Sequence, residues 1–290
     1  MNARPRVCVV GHVEWVTHAL GPLPYAGGIA MLTDPIDEPG GGGGIAAIQV
    51  AKLGAECHFF TAVGDDDTGR KCVERLTELG VTVHAAIRAG ARHSHALSVV
   101  QPGTSERTIL VDDAPLDAAA DDPLDWPLLS GADACYVTGT NVEVLRLARN
   151  ARCLVVAARR ASVLEAAAVR ADVVVASGGD LDDRHAHTLS LAPDVLVETA
   201  GGEGGRYRTS DGIWKHYLPA PPPGAAVDAC GCGDSFMAGL ATGLARGFTM
   251  ERALDLASVC GAACLAGRGG LSGQHVETRT PQNSTSAGDG

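Results

Sequence analysis

Two cysteines alternate with two glycines between the aspartates of the segment DACGCGD, residues 228–234. Zinc sites usually pair cysteines as C-x2-C and need four ligands, and redox pairs are spaced C-x-x-C. The spacing here is C-x-C, and no matching cluster occurs elsewhere in the sequence. A Gly-x-Gly turn that leads into the apolar stretch SFMAGLATGLARG instead places unhindered backbone N–H groups at the start of a helix. The pattern therefore favours an anion site.

Asp234 lies at the mouth of this predicted helix, beside the expected anion. A carboxylate repels a neighbouring anion, so its position makes chemical sense if it accepts a proton from a hydroxyl group that attacks a phosphoryl group. The alternative is that Asp234 caps the N-terminus of the helix. Considered without its context, the capping role is the better supported of the two.

Two further glycine-rich segments accompany this turn: PGGGGG, residues 39–44, and TAGGEGG, residues 199–205. Neither completes a nucleotide fingerprint. A dinucleotide-binding fold needs G-x-G-x-x-G directly after its first strand, whereas the first predicted strand here ends in VVGHVEW, with a single glycine. The pattern G-x-x-x-x-G-K-[ST] is also absent from the sequence. A nucleotide-dependent oxidoreductase and a P-loop enzyme are therefore disfavoured.

Short β-rich runs alternate with helix-like segments along most of the chain, which is typical of a mostly parallel sheet covered on both faces. Residues 12–39 interrupt this rhythm because they are rich in Pro and Gly, and residues 87–110 resemble two strands around a turn. We predict that both segments belong to a small β-lid. The predicted core then comprises residues 1–11, 40–86 and 111–271, and residues 272–290 form a polar, flexible tail.

The composition limits the classes of partner. The 290 residues carry a formal net charge of −11, so a broad nucleic-acid surface, which needs clustered Lys and Arg, is not expected. The sequence contains no run of about twenty apolar residues, so no membrane span is predicted. The nine cysteines form no disulfide framework, which favours reduced thiols and a cytoplasmic location.

Taken in order, five segments resemble the PfkB carbohydrate kinase family, also called the ribokinase family, over residues 5–270: GGGGGIAAIQVAKLGAE, VGDDDTGRKCVERLTELGV, ERTILV, TAGGEGG and DACGCGDSFMAGLATGLARG. The pattern D-x-x-G-x-G-D-x-F-x-x-G in the last segment is highly specific. The resemblance implies an α/β fold, namely a ribokinase-like three-layer α/β/α domain with a mostly parallel central sheet and a small β-sheet lid. It also implies an ATP-dependent kinase that phosphorylates a hydroxyl group of a sugar or sugar-like molecule.

The resemblance also assigns roles to residues at these motifs. Asp234 would act as the general base, and the backbone N–H groups of Gly231, Cys232 and Gly233 would form an anion hole for the transferred phosphoryl group. The other implied residues fall into three groups: Ser177, Thr199, Gly201, Gly204 and Cys260 at the nucleotide, Glu14, Gly41, Gly42, Gly43 and Ile45 at the substrate, and Asp180 and Asp228 near the metal ions. The expected cofactors are ATP and Mg²⁺, with a monovalent cation such as K⁺ near Asp228.

Several positions depart from the family pattern. Ile45 stands roughly where ribose-binding members carry Asn, and Ser177 and Asp180 replace the Asn and Glu of the family's N-x-x-E. Trp15, next to Glu14, would add an apolar face to the pocket. We therefore expect a neutral, hydroxylated substrate, with plain ribose a poor one and a nucleoside or a modified hexose better.

Alternatives to a sugar kinase remain open at this stage. One is a nucleoside kinase of the same family, and another is a relative that binds nucleotides but has weakened catalysis. Four side chains of the lid segment 87–97 could bind an anionic substrate, although a solvated lid edge is the favoured interpretation: Arg88, Arg92, His93 and His95. A homodimer through the lid is a further expectation.

Overall fold

The computed structural model describes residues 4–101, 103, 105–112 and 114–277. Its strands are β1 (Arg6–Val10), β2 (Glu14–Leu20), β3 (Thr33–Gly40), β4 (Glu56–Gly64), β5 (Thr82–Arg88), β6 (His95–Val100), β7 (Arg107–Val111), β8 (Ala134–Val137), β9 (Leu154–Ala157), β10 (Val173–Ser177), β11 (Val195–Thr199), β12 (Gly205–Arg208) and β13 (Trp214–Tyr217). Its helices are α1 (Gly41–Lys52), α2 (Asp67–Glu78), α3 (Val142–Ala148), α4 (Ala161–Ala167), α5 (Cys232–Ala245) and α6 (Met250–Leu265). Short 3-10 turns lie at Trp126–Gly131, Ala158–Arg160, Asp182–Thr188 and Gly201–Glu203.

The large sheet has nine strands in the order β13-β12-β11-β10-β9-β8-β1-β4-β5. The pairs from β11 to β5 are parallel, and β12 and β13 add an antiparallel edge. Parallel strands need crossover connections, which here include the helices predicted from the alternating pattern. Because parallel strands point the same way, their carboxyl ends meet at one edge of the sheet, where ligands bind in such folds.

The side chains of the central strand β1 divide between two apolar cores. Val7 and Val9 belong to the core that contains residues of α1, α2, α5 and α6. Cys8 and Val10 point to the opposite face and belong to the core that contains residues of α3 and α4. This alternation follows from the two-residue period of a strand. The sheet is therefore a middle layer between two helical layers, and the predicted three-layer α/β/α class is confirmed.

The small sheet has four strands in the order β3-β2-β6-β7. Its central pair β2–β6 is parallel, while β2–β3 and β6–β7 are antiparallel. The chain enters this sheet directly after β1 and again after β5, so the small sheet lies at the edge where parallel strands end. The outer strand β7 exposes Ile109, Leu110 and Val111, and a homodimer through this lid stays a prediction.

The segment after α6 differs from the predicted flexible tail. Gln274 is buried and its Nε2 donates to the Ile45 carbonyl over 2.9 Å, while Gln49 Nε2 donates to the His275 carbonyl over 2.8 Å. Gln274 and His275 are therefore held against α1 by hydrogen bonds to Ile45 and Gln49. Residues 278–290 of the predicted tail lie outside the described residues. Among the helices of the described chain, none combines the length and the apolar character needed to cross a bilayer.

Candidate active site

The glycine run at the start of α1 fits closely against the end of β1. Gly43 N donates to the His12 carbonyl over 3.1 Å. A Cβ atom at Gly43 would lie 2.7 Å from that carbonyl oxygen and 2.9 Å from the Gly11 carbonyl carbon. Only glycine therefore allows this close approach of two backbones. The packing brings Gly41, Gly42 and Gly43 to the edge of the sheet where the resemblance expects the substrate.

The predicted anion turn is the first turn of α5. Its N-cap is Gly231, which adopts a left-handed conformation with φ 74°. The first N–H groups of a helix have no partner within the helix, so those of Cys232 and Gly233 are available to an anion. Gly233 is exposed and Cys232 is half-buried, which leaves this turn open to a cleft.

Asp234 follows this turn and does not cap the helix, because the N-cap is Gly231 and no side-chain cap bond forms. Its Oδ1 atom is buried and has no hydrogen-bond partner among the described residues. A Cβ atom at Gly42 would lie 3.0 Å from Asp234 Oδ1 and 3.3 Å from Thr138 Oγ1. The carboxylate thus faces the glycine run across a narrow gap that an added methyl group would crowd.

Burial and the neighbouring charges shift the pKa of Asp234 in opposite directions. Burial raises the pKa of the Asp234 carboxyl, while electrostatic interactions with Arg159, His12 and Arg107 lower it. The raised pKa brings the group closer to the neutral range in which a general base is most effective. Neither Arg107 nor Arg159 makes a side-chain hydrogen bond or ion pair within the described part of the chain. Two uncommitted guanidinium groups near a carboxylate and an anion turn suit a polyanionic ligand.

These basic residues were not predicted from the sequence. Arg159 follows β9, and His12 lies two residues after the last residue of β1, so both stand at the carboxyl edge of the sheet. That position was the available signal, because it is the ligand-binding edge of a parallel sheet. Arg107 lies in the segment ERTILV, and only the fold of the small sheet brings it near Asp234.

The predicted substrate residues divide into two groups. Glu14 is buried in β2, and burial raises the pKa of its carboxyl, while His12 lowers this pKa and Asp234 and Asp112 raise it further. Glu14 therefore lies in the same polar region as Asp234. Ile45 differs from the prediction: a Cβ atom at Gly231 would lie 3.1 Å from Ile45 Cγ2 and one at Gly270 would lie 2.8 Å from Ile45 Cδ1. The Ile45 side chain therefore packs against Gly231 of the anion turn and against Gly270.

Trp15 also differs from its predicted role as an apolar face of the pocket. Trp15 is 7% exposed, and Lys71 Nζ lies 4.3 Å from the centroid of its ring. The Lys71 ammonium group covers one face of the ring through a cation–π contact, and the remainder of the ring is buried in the core. Little of the ring surface is therefore available to a substrate.

A cleft of about 370 Å³ opens beside the anion turn. Three glycines and a threonine of the predicted nucleotide motif line it together with the first turn of α5: Thr199, Gly201, Gly202, Gly204, Cys232 and Gly233. The α6 side contributes Ser258, Gly261, Ala262 and Leu265. Ser105 and Glu106 reach it from the small sheet. The cleft therefore joins the 199–205 and 228–234 motifs in one space.

Two predicted nucleotide residues do not line this cleft. Cys260 is fully buried, and a Cβ atom at Gly239 would lie 2.9 Å from its Sγ atom, so it packs between α5 and α6. Helical periodicity explains this, because residue 260 points away from the face that carries Gly261. Ser177 is exposed at the end of β10, where its N–H donates to Asp183 Oδ2 over 2.7 Å.

The two predicted metal residues occupy different settings. Asp180 is exposed in the turn after β10. Asp228 is fully buried, and its two carboxylate oxygens accept from Cys230 N and Gly269 N over 2.8 Å and 3.0 Å. Within the described ranges, no three His, Cys, Asp or Glu side chains converge on a metal position. Mg²⁺ usually binds through one or two carboxylates plus substrate phosphates, so an exposed Asp180 fits an ion that arrives with ATP.

Two of the charged or polar residues in the lid segment 87–97 form hydrogen bonds with other parts of the chain. Arg88 pairs with both carboxylate oxygens of Asp122, over 2.5 Å and 2.7 Å. His93 is buried, and its N–H donates to Asp66 Oδ2 over 2.9 Å. These contacts fix the segment to the core, so neither Arg88 nor His93 is available to bind an anion.

A larger hollow of about 780 Å³ lies between α4 and the 182–188 turn. Arg159 lines this hollow as well as interacting with Asp234.

Known proteins resemble the chain over nearly its whole length. A sequence model described as pfkB family carbohydrate kinase matches residues 6–277. The ATP-dependent ribose-1-phosphate kinase of Halopiger xanaduensis is 31% identical over 285 residues, which cover 91% of this chain and 93% of that protein. The aminoimidazole riboside kinase of Salmonella typhimurium is 26% identical over 270 residues, which cover 80% of this chain and 83% of that protein.

Solved structures share the fold. Ribokinase of Arabidopsis thaliana, complexed with ribose and ATP, superposes with a TM-score of 0.75 at 17% identity and covers 94% of this chain and 96% of its own. Ribokinase of Thermotoga maritima superposes with a TM-score of 0.74 at 18% identity and covers 94% of this chain and 97% of its own.

Proposed function

Because the chain belongs to the pfkB family of carbohydrate kinases, we propose that it transfers the γ-phosphoryl group of ATP to a hydroxyl group of a ribose derivative, with Asp234 as the general base. One observation carries this assignment. The unpartnered Oδ1 atom of Asp234 lies between the anion turn of α5 and the glycine run of α1. A base in this gap can contact an acceptor hydroxyl while the phosphoryl group lies on the turn.

The proposed reaction divides the work among residues of this chain. Asp234 accepts the proton of the acceptor hydroxyl as its oxygen attacks the γ-phosphorus, and the bond from that phosphorus to the leaving oxygen of ADP breaks. The N–H groups of Gly231, Cys232 and Gly233 stabilise the negative charge on the transferred group. Arg107 and Arg159, which both interact electrostatically with Asp234, add positive potential near it, which is the main requirement of phosphoryl transfer.

The nucleotide would lie in the cleft between the 201–204 turn and α6. Its walls carry backbone groups of Gly201 and Gly204, and small α6 residues such as Gly261 allow close approach. A cleft of about 370 Å³ is within the range of small-molecule sites. The position supports the assignment because the cleft ends at the anion turn, where the γ-phosphoryl group must arrive.

The names of the two curated relatives share one chemical feature, a ribose that carries a substituent. One acts on ribose 1-phosphate and the other on an aminoimidazole riboside. We therefore propose an acceptor ribose substituted at C1 whose primary hydroxyl receives the phosphoryl group. Ribose 1-phosphate is the first candidate, because that relative is more similar over more of the chain. A neutral riboside is the second, because the carboxylates of Glu14 and Asp112 oppose an additional anion in the pocket.

A panel of acceptors tests this proposal. Purified protein is incubated with ATP, Mg²⁺ and ribose 1-phosphate, ribose 5-phosphate, ribose, a nucleoside mixture or a hexose mixture, and the products are identified by mass. We expect ribose 1-phosphate or a nucleoside to gain one phosphoryl group while an equal amount of ADP forms. Ribose 5-phosphate is the matched control, since it has the same charge but its primary hydroxyl is occupied. Efficient turnover of ribose 5-phosphate, or no product in any pool, contradicts the proposal.

The Mg²⁺ that accompanies ATP neutralises phosphate charge when it is bound, and Asp180 is the proposed carboxylate near it. Asp180→Ala should raise the Mg²⁺ concentration that gives half-maximal rate, because a contact to the hydrated ion is lost. The measurement is a Mg²⁺ titration at fixed ATP. Asp255→Ala is the control, since Asp255 is exposed on α6. Identical titrations of the two variants would remove Asp180 from the site.

A further inference from the structure

Two loops meet beneath the anion turn and are joined through Asp228. This residue is fully buried, and its Oδ1 accepts from Cys230 N while its Oδ2 accepts from Gly269 N. The first loop leads into α5, and the second follows α6. The position of the anion turn therefore depends on how the loop after α6 is held.

Cys264 provides a second connection between the same loops. Its side chain is fully buried on α6, and Sγ lies 3.3 Å from the Cys230 carbonyl oxygen and 3.5 Å from the Gly270 carbonyl oxygen. One carbonyl belongs to each loop, so the sulfur lies between them. A hydrogen bond with Cys232 and burial raise the pKa of the Cys264 thiol, so it keeps its proton and can donate it to a carbonyl.

A monovalent cation was expected at this place, and the residues present do not fit one. Proteins hold K⁺ with several backbone carbonyl oxygens that replace its water. Here the Cys230 and Gly270 carbonyls contact the sulfur, and the Leu265 carbonyl accepts from Val227 N and Asp228 N over 2.9 Å and 3.3 Å. The carboxylate of Asp228 is committed to backbone N–H groups.

Gln274 offers one nearby oxygen that is not committed. Its Oε1 atom is buried and has no hydrogen-bond partner among the described residues, while its Nε2 donates to the Ile45 carbonyl and Ser235 Oγ. A single amide oxygen does not replace the hydration shell of a cation.

We propose that the Cys264 thiol positions the anion turn in place of a monovalent cation, so that neither the fold nor the kinase activity of this chain depends on K⁺. The independence of the kinase activity from K⁺ rests on the proposed function, whereas the independence of the fold from K⁺ does not. Cys264 is a positioning residue, because it contacts the two loops and not the reacting atoms.

The test compares KCl with tetramethylammonium chloride at equal ionic strength, with two readouts. One is the thermal unfolding midpoint of the protein without substrates, and the other is the initial rate with ATP and the best acceptor of the panel. For the unaltered protein we expect no difference between the salts in either readout. A ligand that bound the folded state would raise the unfolding midpoint, so a K⁺-specific rise overturns the proposal even if no kinase activity is found.

Variants sharpen the comparison. Cys264→Ala removes the sulfur and should lower kcat about tenfold through misplacement of the turn. K⁺ should then raise both its rate and its unfolding midpoint. Cys260→Ala is the matched control, because Cys260 is equally buried one helical turn earlier but contacts Gly239. It should lose stability without any K⁺ response. A Cys264→Ala protein that behaves like Cys260→Ala in both salts overturns the proposal. If Cys264→Ala does not fold, Cys264→Ser is used instead. Its hydroxyl group keeps a donor, so its rate and unfolding midpoint should not respond to K⁺, and a K⁺-specific rise in either overturns the proposal.

Discussion

Asp234→Asn should lower kcat by about 10²–10⁴-fold, because the amide has the shape of the carboxyl group but cannot accept the proton of the acceptor hydroxyl. Binding of ATP should be retained, since the cleft that is proposed to hold the nucleotide is lined by other residues. The measurements are kcat with the best acceptor and ATP affinity by calorimetry. The loss is expected to be large because the Asp234 Oδ1 atom makes no hydrogen bond among the described residues that would explain it as a structural group.

Asp255→Asn controls for the substitution itself, since Asp255 lies exposed on α6. Its kcat should equal that of the unaltered protein. A loss of less than about tenfold for Asp234→Asn, in a variant that still binds ATP, would show that another group takes the proton.

Gly42→Ala is expected to separate activity from stability. The added Cβ atom would lie 3.0 Å from Asp234 Oδ1 and 3.3 Å from Thr138 Oγ1, in the gap where the acceptor hydroxyl must lie. Displacement of a reacting group by about 1 Å costs on the order of 10²-fold in rate. Ala is a better helix former than Gly by roughly 1 kcal/mol, so the unfolding midpoint should not fall by much. The readouts are kcat and thermal unfolding.

Gly224→Ala is the matched control, because the nearest heavy atom to its added Cβ is Ala266 Cβ at 3.9 Å. This variant should keep full activity. If Gly42→Ala also keeps its activity, the acceptor hydroxyl does not lie between Gly42 and Asp234, and the proposed site is wrong.

The parts of the site that could be predicted from sequence are those set by local geometry. The glycines of the anion turn predicted a helix N-terminus, and the structure places Gly231, Cys232 and Gly233 there. The alternation of β-rich and helix-like segments predicted the parallel sheet, since each buried strand such as β1 needs a crossover before the next. Sequence alone did not decide between capping and catalysis for Asp234, because that choice depends on whether Gly42 faces it.

The residues that could not be predicted are those placed by contacts distant in sequence. Arg107 approaches Asp234 only because the small sheet folds over the edge of the large one. Trp15 was expected in the pocket, yet its neighbour Lys71 from α2 covers it, which no local pattern encodes. Cys260 lies in the expected helix, but its direction depends on how α5 and α6 pack. In each case the local structure could be anticipated and the partner could not.

In the proposed reaction, an acceptor hydroxyl that is activated by Asp234 attacks the γ-phosphorus of ATP. The most direct test uses the best acceptor labelled with ¹⁸O in its primary hydroxyl and follows the product by mass and by the isotope shift in its ³¹P spectrum. We expect the label to be retained in the oxygen that bridges carbon and the new phosphorus. The unaltered protein should form this product far faster than Asp234→Asn. Consumption of ATP with release of inorganic phosphate and no labelled ester, or equal rates for the two proteins, would contradict it.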